Sequence, residues 1–285
     1  MPELPEVETI VRSLRNPLNL PIAAAGAMNL RPGIVDRRIA STEVLWGRTL
    51  AEPGINEFTT RITGQTIQSV ERRGKFIVLK LTHGALLIHL RMSGDIRVEF
   101  ETEALQKHDR MLINFNDGVR LAFNDTRKFG RVWLVDDPQS VLGCLGPEPL
   151  DDTLTGEDLY EKMSRSSRCI KTLLLDQTVI AGVGNIYSDE SLHRAGLNPA
   201  LPGKQITPRQ ADQLLDAIRE TLAEGIERNG ASIDWVYRGG DFQNHFRVYQ
   251  RTGEPCLVCG TEIERCIIGQ RSTHYCPKCQ SITLI

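Results

Sequence analysis

No stretch of this 285-residue chain approaches the roughly 20 consecutive apolar residues that a membrane-spanning helix needs. The acidic opening Met1-Pro2-Glu3-Leu4-Pro5-Glu6 also lacks the basic start of a secretory signal. Together these absences predict a cytoplasmic protein with no membrane partner. A surplus of positive charge is missing as well, since 34 Lys and Arg stand against 36 Asp and Glu, a net charge of -2. A uniformly basic nucleic-acid binder is thereby excluded, and any such contact must come from local clusters. Three exist: Arg72, Arg73 and Lys75; Arg127, Lys128 and Arg131; Arg165, Arg168 and Lys171. Cysteine is sparse and odd in number, seven in all, which fits reduced thiols better than a disulfide framework. Four of them cluster near the C-terminus, and Cys144, Cys169 and Cys266 are read as small buried hydrophobes.

What is present divides the chain. Hydrophobic content of 40% and charged content of 25% are ordinary for a globular protein of about two domains. Val7, Ile10, Val11 and Leu14 share one helical face after Pro5, whereas residues 17–33, from Pro17 to Gly33, lack a sustained period and read as a loop. From Ile67 onward the pattern is β, with strands expected over 76–81, 85–91, 96–100, 111–115, 119–123 and 131–135. Thr82-His83-Gly84 and Asn116-Asp117-Gly118 supply hairpin turns. Six short strands after one helix predict a β-sandwich with helices at its edges. Gly146-Pro147-Glu148-Pro149 marks a boundary, beyond which the period is helical. Thr207-Pro208-Arg209-Gln210 reads as a capping box opening a helix whose apolar face runs through Leu214, Leu215, Ile218, Leu222 and Ile226. Ala181-Gly182-Val183-Gly184-Asn185 precedes a further helix; its glycines suit either a phosphate-binding turn or a tight helix–helix turn.

Cys256-x2-Cys259 and Cys276-x2-Cys279 are separated by sixteen residues, the spacing of two knuckles joined by a hairpin. Four thiolates around one Zn2+ leave no open position, so the metal is expected to be structural. Gln270-Arg271-Ser272-Thr273 falls at the hairpin tip, where an arginine is free to reach a partner.

The first turn carries the most reactive chemistry. Removal of Met1 would leave Pro2 with a secondary amine, and an α-amino pKa of about 7.7 to 8.0 keeps far more of it neutral than a lysine at about 10.4. Addition to an aldehyde-type carbon then gives an iminium directly. Glu3 and Glu6 supply carboxylates close by in sequence, although an acidic, proline-capped helix start accounts for the same residues.

In combination these features resemble the formamidopyrimidine-DNA glycosylase and endonuclease VIII family across nearly the whole chain. Pro-Glu-Leu-Pro-Glu-Val-Glu from Pro2 is similar to the formamidopyrimidine branch. The other landmarks are Arg-Arg-Gly-Lys-Phe around Lys75, His-Leu-Arg-Met-Ser-Gly around Met92, Lys-His-Asp around His108, Asp-Thr-Arg-Lys-Phe-Gly around Arg127, Gly-Pro-Glu-Pro-Leu, Gly-Val-Gly-Asn-Ile-Tyr and the cysteine ribbon. The resemblance implies an α+β multidomain chain: an N-terminal catalytic β-sandwich (1–146), a helix-two-turn-helix DNA-binding domain (147–246) and a zinc ribbon (247–285). It implies a bifunctional DNA glycosylase and AP lyase of base excision repair, acting as a monomer on damaged double-stranded DNA. Oxidised purines, 8-oxoguanine and formamidopyrimidines, would be excised through a Pro2 iminium, and the strand cut by β,δ-elimination. Glu3 matches the general acid, Lys75 a lysine assisting elimination or a phosphate contact, and Arg271 a ribbon arginine at the second elimination. Met92, Arg127 and Phe129 match a wedge that fills the void left by an expelled base. His108, Asn185 and Arg168 match backbone contacts.

Four departures stand out against that family pattern. The segment from Pro17 to Gly33 is long; a lysine run is thinned to Arg165-Ser166-Ser167-Arg168; Arg91 stands where glycine is common; and Tyr237 to Phe242 is short for a loop over a flipped base. The competing expectations are an endonuclease VIII-like enzyme for oxidised pyrimidines and, from another class, a zinc-ribbon nucleic-acid binder without catalysis. An N-terminal-proline tautomerase would leave the ribbon and the wedge residues without a purpose.

Overall fold

The computed structural model describes residues 1–15, 18–19, 30–232 and 240–281. Its described residues fall into two compact units, one built from Met1–Pro2 and Glu6–Gly143, the other from Glu3–Pro5, Cys144–Ser232 and 240–281. In chain order the first carries α1 (Leu4–Arg15), β1 (Leu18–Asn19), β2 (Leu30–Arg31), β3 (Ile39–Val44), β4 (Leu50–Glu52), α2 (Ile55–Ile62), β5 (Ile67–Arg73), β6 (Phe76–Leu81), β7 (Ala85–His89), β8 (Gly94–Phe100), β9 (Asp109–Phe115), β10 (Val119–Asp125), β11 (Arg131–Val135) and α3 (Gln139–Leu142). The second carries α4 (Gly156–Ser164), α5 (Ile170–Leu175), α6 (Asn185–Arg194), α7 (Pro208–Glu227), β12 (Glu264–Ile268) and β13 (Arg271–Tyr275).

Two larger sheets form the body of the first unit, ordered β3-β9-β10-β8 and β4-β11-β7-β6-β5. Every pairing in them is antiparallel except β4 with β11. Strand alternation decides the core. Met111, Ile113 and Phe115 of β9 and Val119, Leu121 and Phe123 of β10 join Ile77, Leu79, Leu86, Ile88, Val132 and Leu134 of the other sheet in one apolar cluster. Val7, Ile10, Val11 and Leu14 of α1, with Phe58 and Ile62 of α2, close its edges. The other face of β8 and β10 buries charge, which is tolerable only in pairs. Arg97 Nη2 donates to Asp109 Oδ1 at 2.9 Å and Arg120 Nη2 to Glu99 Oε1 at 2.6 Å.

The expected sandwich with edge helices is therefore present, with additions. β3 and α2 escaped the sequence pattern because each buries little: Ile39 alone in β3, Phe58 and Ile62 alone in α2. β7 stops at His89 and not at Arg91, because Arg91 takes φ +56° and cannot continue a strand. Within the segment from Pro17 to Gly33, β1 pairs with β2; 16–17 and 20–29 lie outside the described residues, as do 233–239 of the short loop.

In the second unit α7 begins as expected, with Thr207 Oγ1 accepting from the Gln210 amide and Gln210 Oε1 accepting from the Thr207 amide. Leu214, Leu215, Ile218 and Leu222 are buried along one face. Two expectations need correcting. Lys171 is not a surface cation: it is fully buried and paired with Asp189 at 2.5 Å. Cys144 is exposed, and Cys169 and Cys266 are only half-buried, because they lie on a linker, at a helix start and on a two-stranded hairpin that covers one face.

His89 ends the central strand of the larger sheet almost without solvent contact. Burial, reinforced by the nearby charges of Arg91 and Lys75, pulls its imidazole down to about 3. Its Nδ1 accepts the Arg91 amide at 3.0 Å, so the neutral ring carries its proton on Nε2. In the unfolded chain the group titrates near 6.5. Below that value the unfolded state gains a proton that the folded state does not, so stability present above pH 6.5 falls as pH drops toward 3. His89→Gln should flatten the pH profile of unfolding free energy by about 1.4 kcal/mol per pH unit between pH 6 and 4. Denaturant titrations at several pH values measure this, and parallel profiles for the two proteins would contradict it.

Candidate nucleic-acid interface and metal centre

In the first unit the sequence-predicted residues gather at strand ends. Arg73 pairs with Phe76, leaving Gly74 and Lys75 as a two-residue turn with φ +55° at Gly74, a conformation glycine accepts freely. Lys75 nonetheless retains only 5% of its surface. A lysine buried at a hairpin tip is held for a purpose other than solubility. Pro2 and Glu6 are buried too. The first basic cluster is further thinned because Arg72 pairs with Glu8 at 3.1 Å.

Asp125 is the organising group, a role that its place in the Asp-Thr-Arg-Lys-Phe-Gly motif does not announce. It ends β10 at 1% exposure, and its carboxylate faces two turns. Oδ1 accepts the Ser93 hydroxyl at 2.5 Å and the Arg127 amide at 3.1 Å; Oδ2 accepts the Gly130 amide at 2.7 Å. Ser93 follows Met92, and residues 127–130 carry Arg127 and Phe129, so one carboxylate fixes both segments of the expected wedge. Gly130 is required there, because a Cβ would run into the Phe123 ring. Arg127 lies over the Phe129 ring at 5.1 Å, and that residue is 49% exposed, an unusual place for a phenyl group.

His108 belongs to the same network. Its carbonyl accepts the Asp125 amide at 2.9 Å, and Arg110 links the Asp125 carbonyl, at 2.8 Å, to His108 Nδ1, at 3.2 Å. Arginine can only donate, so Nδ1 accepts and Nε2 keeps a hydrogen to offer an anion.

In the second unit the Gly-Val-Gly motif serves close approach. Leu4 donates its amide to the Gly182 carbonyl at 3.0 Å, and a Cβ on Gly182, at φ +88°, would meet the Leu4 side chain. A Cβ on Gly184 would strike the Glu3 carboxyl. Glu3 itself accepts the Ile186 amide at 3.0 Å and the Tyr187 amide at 3.3 Å, capping the N-terminus of α6 with negative charge. Both glycines are thus accounted for by the N-terminal segment.

Asn185, the first residue of α6, donates Nδ2 to the Ser272 carbonyl at 3.1 Å, and its Oδ1 is buried without a partner. Lys171 Nζ donates to the same carbonyl at 2.9 Å. Burial pulls the Lys171 ammonium below its ordinary value, against the attraction of Asp189. Asp189 in turn accepts the His274 amide at 2.9 Å. Beside it, Glu190 accepts three successive amides, Arg247, Val248 and Tyr249, at 2.8 to 3.0 Å. Arg271 is exposed and opens β13 immediately after the two-residue turn Gly269-Gln270, both with positive φ. Arg168 is exposed but folded back, with Nη1 on Asp176 at 2.8 Å and Nη2 on the Thr172 carbonyl at 3.2 Å.

The sulfur atoms of Cys256, Cys259, Cys276 and Cys279 lie within 4.8 Å of one another. Cys256 and Cys279 are 3.9 Å apart and Cys259 and Cys276 3.5 Å, close to the edge of a tetrahedron with metal–sulfur bonds of about 2.3 Å. The amide of Val258 points to Cys256 Sγ and that of Cys279 to Cys276 Sγ, as an anionic sulfur invites. The donor set fits one structural zinc ion with no site left for a reactant.

Three family models match in order: the formamidopyrimidine-DNA glycosylase N-terminal domain over 19–132, its H2TH domain over 145–236, and a zinc finger found in FPG and IleRS over 253–282. Among similar curated proteins, the formamidopyrimidine-DNA glycosylase of Chloroflexus aggregans is 42% identical, covering 98% of both chains. That of Ligilactobacillus salivarius is 38% identical over 99% of both. Lactococcus lactis Fpg in complex with DNA containing an abasic site is similar in structure, with a TM-score of 0.86, 35% identity and coverage of 98% of this chain and 99% of that one. A MutM complex with DNA containing carbocyclic 8-oxo-G gives 0.87 at 35% identity, over 98% of this chain and all of the other.

The metal centre yields a count. With four of seven cysteines in the cluster, three remain to react. Thiol titration of the native protein should find no more than three and, after chelation, seven, with one zinc released per chain. Seven reactive thiols before chelation would contradict the site.

Proposed function

Because the chain belongs to the formamidopyrimidine-DNA glycosylase family and is a DNA glycosylase with AP lyase activity, we propose that Pro2, freed of Met1, is its nucleophile toward oxidised purines. The observation carrying the reading is likeness over 98–99% of the chain to enzymes of that name. We read 1–146 as the catalytic module, 147–246 as the helix-two-turn-helix module and 247–285 as the ribbon.

The damaged nucleotide leaves the stack, and the Pro2 nitrogen forms a bond to C1′ as the base departs with the glycosidic electron pair. Glu3 takes the proton that the Pro2 nitrogen sheds on bonding to C1′ and delivers it to the ring oxygen as the sugar opens, leaving an iminium. Loss of a C2′ proton expels the 3′ phosphate, and a second elimination expels the 5′ phosphate. Lys75 assists these eliminations, supported by its burial beside a histidine that stays neutral, and Arg271 assists the second. Met92, Arg127 and Phe129 fill the vacated position. His108, Asn185 and Arg168 hold phosphates, which fixes register without reading sequence. Arg168 can exchange Asp176 for a phosphate cheaply, since a half-exposed ion pair contributes about 0–1 kcal/mol.

The working form is a cytoplasmic monomer bound to damaged duplex DNA; among the described residues no helix is long and apolar enough to cross a membrane. A second reading, activity on oxidised pyrimidines, has one observation in its favour: Lactococcus lactis Fpg has been solved with DNA containing an oxidised pyrimidine. Excision from matched duplexes separates the two. Release of 8-oxoguanine and formamidopyrimidine should exceed that of a ring-saturated pyrimidine at least tenfold in kcat/KM, and the reverse order would overturn the purine assignment.

A further inference from the structure

The turn that carries Arg127 and Phe129 is pinned at both ends by Asp125, but its middle is supported differently. Lys128 takes φ +61°, the left-handed region that a long side chain enters only at a cost. Although the residue is exposed, its ammonium has a partner: Nζ sits 4.0 Å from the centroid of the Trp46 ring. Trp46 is itself anchored, because its amide and that of Leu45 both donate to the Arg110 carbonyl, at 3.1 and 2.9 Å. Arg110 is the residue that also joins His108 to Asp125. The Trp46 indole N–H is buried without a partner, so the ring is retained for its face and not for its polar edge. Arg127 and Phe129 stack on each other while Lys128, between them, reaches instead to this separate ring.

We propose that Lys128 and Trp46 form a latch that holds the 127–129 turn ready for insertion, making both of them positioning residues for the wedge. The proposal rests on the wedge reading of Arg127 and Phe129. A left-handed lysine fastened at its far end cannot relax to an ordinary backbone conformation without giving up the ring, so the two constraints select one turn geometry. Phosphate binding by Lys128 is the competing account of an exposed cation here, and it makes opposite demands on Trp46.

The test uses the full-length protein and a duplex in which a tetrahydrofuran abasic analogue blocks chemistry and a 2-aminopurine beside the orphaned base brightens on unstacking. Lys128→Met and Trp46→Leu should each weaken binding and wedge-dependent brightening two- to fivefold, the range a surface cation–π contact supports. The double variant should lose no more than either single one, and Lys128→Arg should restore the signal. The salt dependence of binding should be unchanged throughout. Lys128→Gly removes the latch and the backbone strain together and should fall with Lys128→Met, which keeps the test decisive if Trp46→Leu does not fold. Additive losses, recovery in Lys128→Gly, or a silent Trp46→Leu with a salt slope reduced by about one in Lys128→Met would overturn the latch. A wild-type protein that binds without brightening would overturn the wedge reading and the latch with it, whereas brightening in wild type with additive variants sinks the latch alone.

Discussion

One buried carboxylate holds the strand ends and turns of the first unit in order. Asp125 closes β10 with its amide on His108, its carbonyl on Arg110, one oxygen shared by Ser93 and Arg127, and the other on Gly130. Removing an acceptor of this kind would leave amides and a hydroxyl unpaired, at about 1–3 kcal/mol for each group that water cannot reach. The proposed wedge side chains and His108 are exposed or half-buried. They need a rigid support, and a charge-assisted network at the end of a packed strand supplies it.

The second unit solves a similar problem with different chemistry. Its helix α6 receives Glu3 at its N-terminus, sends Asp189 to Lys171 and His274, and sends Glu190 to three consecutive amides of the segment leading into the ribbon. Ser272 O, beside Arg271, accepts from both Lys171 and Asn185. The ribbon tip is thus held by a buried ion pair whose desolvation is offset only while every partner stays in place. A structural zinc ion on the four cysteines would fix the other end of the same hairpin, with free energy that small zinc domains draw on to fold at all.

Legibility in the sequence followed how local each signal was. Alternating strands, hairpin glycines, the Thr207 capping box and the cysteine spacing are set by neighbours in the chain, and the structure has all of them. β3 and α2 are not legible because their burial comes from contacts distant in sequence, and a strand with one buried residue has no period to read. Lys171 looked like surface charge since nothing nearby announces Asp189, eighteen positions later. The glycines of Gly-Val-Gly suited a phosphate turn on their own; what they make room for is Glu3 and Leu4, about 180 residues earlier. Asp125 lies within the Asp-Thr-Arg-Lys-Phe-Gly motif, yet its role depends on Ser93 and His108, which only pairing of β8, β9 and β10 brings together.

The catalytic reading turns on the first residues. While Met1 is attached, the Pro2 nitrogen is an amide with no electron pair to give; without it, the nitrogen is a secondary amine adjoining a carboxylate that already caps a helix. Glu3 therefore has a structural duty beside the chemical one proposed for it, and Gly184 makes room for its carboxyl. The most direct measurement is borohydride trapping on DNA containing an abasic site, followed by intact-mass and peptide mapping of the adduct. The account predicts a reduced crosslink on the N-terminal nitrogen of a chain that begins at Pro2. An adduct on a lysine, or one formed by protein that keeps Met1, would contradict it.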